Sequence, residues 1–532
     1  MLLVFFAAIM GVPLLVSIFY EGAPGGGDVI AYGWRADLGT LASQIGFSVE
    51  TLAFAIAIAL SATAGGIFKL FGRGARAKEV GIRDGFAVVS LAWAILSVFG
   101  ALPFFLSGVH AFESFTDCYF ETISGLTTTG SSILGDIEGL PNGLLFWRSL
   151  THWLGGMGIV VLAVAIFPAL GIGGYQLYRA EAAGPTTQRL SPRITATAKL
   201  LWGVYLLLTA AETFLLWMPT LWGDPKMSLF DALCQTFGTL ATGGFSTKNT
   251  SIAAFDSVYV DVVIMIFMYL GGISFVLHYQ ILTRKFNRIA KDNQARFFTG
   301  MLVVSIVLVT ISVYNSKPAP STGSSRQFST EELRAEKIAR ERAKVSTLPG
   351  ALRHAAFQVT SIGSTCGFAT ADFDLWPNFC RFLLILLMFI GACAGSTSGS
   401  LKAIRIILLL KMARREVEKM VRPRAVLPVK LGGQVVEEEV LGNVMSLFVL
   451  YLGIFAASTA VMCWFVPDIV SAFSSVAATM GGVGPGLALV GPMRNYNEVA
   501  PAGKWVLCAC MLLGRLEIYS ILIILFPRTW RK

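Results

Sequence analysis

The chain has 532 residues, of which 55% are hydrophobic and 14% charged, with a formal net charge of +10 and a mean hydropathy of +0.68. A soluble protein of this length needs far more charge to cover its surface, so the composition places the chain in a membrane. The basic excess is spread over several short loops, which argues against a nucleic-acid partner.

About 30 Å of hydrocarbon takes roughly 20 apolar residues to cross as a helix. Ten runs meet that need, at 1–20, 46–71, 86–108, 146–170, 197–219, 258–283, 297–314, 376–410, 442–466 and 503–527. The first, "MLLVFFAAIMGVPLLVSIFY", has neither a charged leading region nor a small-x-small cleavage site, so it reads as a span rather than a signal peptide. Four shorter semi-polar runs, near 115–127, 229–241, 352–364 and 469–481, are too short to cross. Arg and Lys concentrate in 72–85, in the connection carrying Arg179 to Lys199, in 284–296 and in 411–440, so both termini are expected in the cytoplasm. The eight cysteines form no CxxC pair and fall mostly in apolar runs, which reads as buried thiols rather than disulfides or a zinc site.

The short runs share a register. Gly130, Gly244, Gly367 and Gly484 lie 114, 123 and 117 residues apart. Thirteen residues before them stand Asp117, Asp231, His354 and Ser471, and nine before them Glu121, Gln235, Gln358 and Ser475. Two before them are Thr128, Thr242, Thr365 and Gly482. Each unit reads span, half-helix, Gly/Thr loop, span, a degenerate fourfold repeat. The expected organisation is an N-terminal helix pair and loop (1–85) followed by units at 86–196, 197–296, 297–441 and 442–532.

Irregular backbone at membrane depth survives only when buried in protein or lining water. Glycine permits positive φ and threonine adds a hydroxyl oxygen. Four such loops around an axis would form rings of oxygens that replace the water of a dehydrated cation. The half-helices would aim their negative ends at the same place. No loop has the strand-before, helix-after context of a nucleotide-binding turn. "LGGMG" at 154–158 is accounted for by close helix packing through small residues. Neither a nucleophile–base pair nor a metal set supports an enzyme.

"TTTGSS", "ATGGFST", "STCGFAT" and "MGGVGPG", with "WLGGMGIVVLAVAIFPALGIGGYQLYRAE" and "LLGRLEIYSILIILFPRTWR", closely resemble the Trk/Ktr/HKT superfamily, and most of all the TrkH-type potassium uptake subunits. The likeness spans almost the whole chain. It implies a homodimer in the bacterial inner membrane, with one potassium pore per subunit and a cytosolic nucleotide-binding regulatory subunit of TrkA type. No bound cofactor is implied, potassium being the cargo. The filter residues implied are Thr128, Thr129, Gly130, Thr242, Gly243, Gly244, Thr365, Cys366, Gly367, Gly482, Val483 and Gly484. Glycine in all four units implies potassium over sodium, and the fourth loop departs from the others in lacking threonine at minus two.

"GACAGSTSGS" at 391–400 interrupts the second span of the third unit with small residues, whereas "LGGMGIVV" and "LGGISFVL" regain apolar character at once. This break is therefore expected in one unit of four. Together with the resemblance it implies an intramembrane gate loop carried by Gly391, Ala392, Gly395, Ser396, Thr397 and Gly399, a tightly packed small-residue helix face being the alternative. Arg515 stands where the first two units have the second glycine of "LGG"; a cation there repels permeating ions, and pairing with Glu517 is the packing alternative.

Asp117 and Asp231 are expected to cap half-helices, and Glu121 to hydrogen-bond behind the filter. His110, His152, His278 and His354 form no catalytic pattern. Residues 315–350 are assigned outside although seven cations oppose four carboxylates there, and "STEELRAEKIARERAK" reads as a solvated helix, a bland insertion, with Ser329 in a capping box. Potassium uptake is the leading expectation, with a symporter coupled to proton or sodium as the alternative; scattered Glu212, Asp261 and Glu517 make no evident proton relay. Having no nucleotide-binding domain, the chain would meet its sensor at 171–195, 284–296 or 411–440.

Overall fold

A chain this apolar can satisfy its backbone in hydrocarbon only by helix or closed barrel, and the structure is helical. It is a computed structural model, describing residues 2–20, 47–72, 82–161, 194–223, 227–283, 292–315, 331–516 and 518–525. Among these, the only sheet is a two-residue antiparallel hairpin, Lys430–Leu431 with Gln434–Val435.

Five described helices are long and apolar enough to cross a membrane: Leu2–Phe19, Val49–Gly72, Ala198–Leu221, Asn293–Asn315 and Glu438–Met462. On Asn293–Asn315 the face bearing Gln294, Ser305 and Thr310 is buried, while Val303, Val304, Val307 and Ile311 are exposed. An apolar stripe turned outward suits lipid as the outer solvent, and the inward face mixes these polar groups with Phe298, Leu302, Val309 and Val313.

The other expected spans hold shorter or interrupted helices. Asn142–Val161 runs unbroken through Gly155 and Gly156, and 162–170 lies outside the described residues. The third unit's second span is broken as expected, into Asn378–Phe389 and Ala403–Val421. The expectation that this break is unique is wrong, because Val258–Gly272 and Phe275–Leu282 of the second unit meet at 105°. The reason is mutual. Gly271 and Gly272 leave carbonyls open at the bend, and the 391–400 segment bonds them through Thr397 N (3.3 Å) and Cys393 N (3.0 Å), while Phe275 N donates to Gly395 O (3.0 Å). Two interrupted helices thus satisfy each other's backbone, which lets both persist at membrane depth.

The four half-helices, Phe115–Leu126, Leu229–Leu240, Leu348–Gly363 and Ile469–Gly481, pack cyclically. The second packs on Asn142–Val161, the third on Val258–Gly272, the fourth on Asn378–Phe389 and the first on Pro501–Arg515. Each therefore leans on the closing helix of the preceding unit, and the circle closes from the last to the first. Lys504 seals that seam with an ion pair to Asp117 (2.5 Å).

The N-terminal pair is fastened by one carboxylate. Buried Glu50 accepts hydrogen bonds from Ser17 Oγ (2.9 Å) and from Leu144 N (2.6 Å), an orphan donor in the first turn of Asn142–Val161. Glu50→Ala strands that donor and is expected to lower stability by about 1–3 kcal/mol, read as an earlier thermal unfolding midpoint in detergent. An unchanged midpoint would contradict this role.

Candidate functional site

Each half-helix is capped by a side chain. Ser114 accepts from Thr116 N, Ser228 from Asp231 N, Thr347 from Gly350 N and Asp468 from Ser471 N. The caps expected at Asp117 and Asp231 are corrected by this, since both lie inside the first turn. Asp117 takes the Lys504 ammonium, and Asp231 accepts from Ser228 Oγ (2.8 Å) and Thr247 Oγ1 (2.5 Å). A serine at the helix boundary reaches the free amides with less rearrangement than a carboxylate one turn further in.

The C-terminal ends repeat a second motif. Thr129, Gly243, Cys366 and Val483 each donate a backbone N–H to the carbonyl five residues earlier, at 2.9, 2.8, 2.7 and 2.8 Å. Thr128, Thr242, Thr365 and Gly482 donate to the carbonyl three earlier, at 3.0, 2.9, 3.0 and 3.2 Å. With φ of 53°, 52°, 61° and 66° at those last four positions, each end is a Schellman closure with a left-handed residue. Gly482 is the unstrained occupant of this position, so the fourth loop, lacking threonine, keeps the backbone of the other three. A β-branched residue held left-handed costs about 1–2 kcal/mol, so three threonines there mark stored strain.

Beyond the closures the loops interlock. Gly130, Gly244, Gly367 and Gly484 have φ of 84°, 81°, 89° and 97°. A Cβ on Gly130 would collide with Gly243 O, on Gly244 with Cys366 O, on Gly367 with Val483 O and on Gly484 with Thr129 O, all under 3.0 Å. The four glycines and the four preceding carbonyls therefore alternate around a closed circle. Of the twelve expected filter residues, eight meet in this circle, Gly130 with Gly243, Gly244 with Cys366, Gly367 with Val483 and Gly484 with Thr129, and Thr128, Thr242, Thr365 and Gly482 stand two positions before the glycines.

The 391–400 segment lies against three of the loops. Thr397 Oγ1 bonds Leu240 O (2.9 Å) and meets Thr242 Oγ1 (3.3 Å), Gly399 N donates to Thr365 Oγ1 (2.7 Å), and Ser400 Oγ donates to Gly481 O (2.9 Å). Two of the strained threonines thus hold this segment by their hydroxyls. Within it, Gly391 N donates to Leu401 O (2.8 Å), Ala392 N to Ser398 Oγ (3.2 Å) and Ser396 Oγ to Cys393 O (2.6 Å), while Gly395 sits at φ 75°. Buried Arg515 reaches across and donates Nη1 to Thr397 O (2.6 Å). Glu517, its expected alternative partner, lies outside the described residues.

Gly155 and Gly514 press on Leu126 O and Met480 O, and Gly156 on Ala241, so small-residue packing explains "LGG". The charged helix Glu331–Lys344 forms, although Ser329 lies outside the described residues. Its charges are not all solvated. Lys344 Nζ donates to Thr370 O (3.1 Å), Glu341 accepts from Asp372 N (3.0 Å) and Lys337 pairs with Asp372 (3.1 Å), so the helix straps down the chain just past Gly367. Sequence reading missed the carbonyl-facing histidine beside the second loop, His152, whose Nδ1 lies 2.8 Å from Gly125 O. It also missed Arg148, whose only sequence signal is a cation within an apolar run. All eight cysteines are free, and seven are buried; Cys463 is exposed. Of the proposed sensor-facing segments, 411–440 is largely helix and hairpin, with Arg415 paired to Glu438 (2.5 Å), while 171–193 and 284–291 lie outside the described residues.

Comparison with known proteins identifies the family. The TrkH family model, described as a cation transport protein, matches residues 48–530. The Trk system potassium uptake protein TrkH of Halomonas elongata is 39% identical over 482 residues, covering 90% of this chain and 92% of that one. The protein of the same name from Escherichia coli K12 is 39% identical over 456 residues, 85% and 87% of the two chains. The crystal structure of the potassium transporter TrkH from Vibrio parahaemolyticus superposes with a TM-score of 0.77 at 33% identity, over 99% of this chain and 100% of that one. A family match across nearly the whole length, with relatives well above 30% identity, makes this membrane chain a member of the TrkH family of cation transport proteins, and a transporter rather than an enzyme.

Proposed function

We propose that this protein takes up potassium through a four-loop filter at the centre of ten spans, in four units around one pore. The carrying observation is the closed alternation of four glycines with four carbonyls. Close approach with no side chain between is what a dehydrated cation needs, because only then can oxygens from all loops replace its water at once. Thr128, Thr129, Thr242, Gly243, Thr365, Cys366, Gly482 and Val483 provide the oxygens, Gly130, Gly244, Gly367 and Gly484 the space, and the C-terminal ends of the half-helices a negative bias. The names of the relatives support potassium as the cargo.

Beneath the filter, Gly391, Ala392, Gly395, Ser396, Thr397 and Gly399 form the gate loop, latched by Arg515. The latch is supported by the Thr397 hydrogen bond, and the guanidinium adds a positive barrier to cations. The TrkH likeness supports a homodimer in the bacterial inner membrane, with both termini cytoplasmic and a nucleotide-binding subunit of TrkA type docked on basic cytoplasmic segments such as 411–440. Such a subunit would release the latch.

In proteoliposomes the wild type is expected to take up Rb⁺ faster than Na⁺. Gly130→Ser puts a Cβ onto the Gly243 carbonyl and is expected to cut that preference by about tenfold, or ~1.4 kcal/mol. A folded Gly130→Ser protein with intact preference would sink the filter assignment.

Arg515→Ala is expected to raise basal Rb⁺ flux without a partner by about tenfold, the equivalent of ~1.4 kcal/mol off the barrier. Unchanged flux in a correctly inserted variant would remove Arg515 from the gate.

A further inference from the structure

We propose that Glu121 and Arg148 form a charged clamp that holds the first and second filter loops at a fixed spacing and so sets ion selectivity. This rests on the filter reading above and adds two positioning residues to it. Neither touches the ion.

Glu121 is fully buried in the first half-helix, and Arg148 is 2% exposed on Asn142–Val161. Glu121 Oε1 accepts from Ser132 Oγ (2.9 Å) and from Arg148 Nε (2.6 Å), and Oε2 accepts from Ile133 N (3.0 Å). The carboxylate therefore fixes the chain two and three residues past Gly130. The same guanidinium donates Nη1 to Ser246 O (2.8 Å), two residues past Gly244, and its Cζ lies 3.6 Å from the centre of the Phe245 ring. One planar cation thus bridges the exits of neighbouring loops.

A charge here needs a reason, since a buried ion pair costs desolvation that a neutral pair avoids. The same register position in the other units is neutral. Gln235 Nε2 donates to Ser246 Oγ (2.8 Å), pinning its own loop, and Ser475 Oγ turns back to Ala472 O (3.0 Å). At Gln235 an amide suffices to hold one loop, whereas the Gln358 amide makes no hydrogen bond in the third unit. Reaching a carboxylate, a neighbouring carbonyl and an aromatic face together takes the fork of a guanidinium. The clamp also complements the gate segment, whose hydrogen bonds go to the second, third and fourth units through Thr242, Thr365 and Gly481. The clamp ties the first unit to the second.

A merely structural ion pair would change stability and yield but leave selectivity alone, so the ratio of Rb⁺ to Na⁺ uptake is the deciding readout. Arg148→Lys keeps the charge beside Glu121 and loses the fork. The double variant Glu121→Gln/Arg148→Gln leaves no unpaired buried charge and offers a second route to a folded protein. Both, reconstituted at matched amounts beside Gly130→Ser, are expected to lose about tenfold in Rb⁺ over Na⁺ preference, beyond any shift in melting temperature. If both folded variants keep the wild-type ratio while Gly130→Ser loses it, the clamp is wrong and the filter stands. If Gly130→Ser keeps the ratio as well, the filter reading falls and the clamp with it.

Discussion

Backbone carbonyls in hydrocarbon must be answered by something, and the rest of this structure follows from how that demand is met at four half-helix ends. At each end a Schellman closure satisfies the last turn, and the chain then turns inward at a left-handed residue. The carbonyl that follows is left facing the glycine of a neighbouring loop. The closing contacts pass from each loop to the next, so the position of each loop bears on its neighbours. The cyclic packing of half-helices on the closing helices of preceding units enforces the same circle one layer out.

The strain at Thr128, Thr242 and Thr365 becomes intelligible in this setting. Glycine would occupy the left-handed position at no steric cost, as Gly482 does. What glycine lacks is a hydroxyl. Thr242 and Thr365 use theirs on Thr397 and Gly399, so two of the three strained residues also connect the circle to the 391–400 segment, while Thr128 Oγ1 makes no hydrogen bond. The broken helices of the second and third units belong to the same arrangement, for each supplies the hydrogen-bond partners that the other's break exposes. Arg515 joins this cluster at a single carbonyl, that of Thr397.

Much of this was legible in the sequence because it rests on local chemistry. Apolar runs located the long helices, and the Gly/Thr register located the four loops. The interruption at 391–400 was visible as a run of small residues with poor helix propensity. What stayed hidden depends on contacts between distant segments. Hydropathy cannot register the bend after Gly272, since its partners come from residues more than a hundred positions away. Asp117 looked like a cap and instead pairs with Lys504, and the serines that cap are unremarkable in sequence. The helix Glu331–Lys344 reads as solvated because its charges are dense, yet Lys337, Glu341 and Lys344 all grip the chain after the third loop.

The central claim is that the oxygens between the four loops replace the water of a passing cation. Diffraction from crystals grown in Rb⁺ or Tl⁺ tests it most directly, because anomalous scattering marks the ion itself. The account predicts peaks on the axis among the carbonyls of Thr129, Gly243, Cys366 and Val483, lost when Na⁺ is substituted. Clear density for the loops with no peak among those carbonyls, and ions bound elsewhere in the chain, would contradict it.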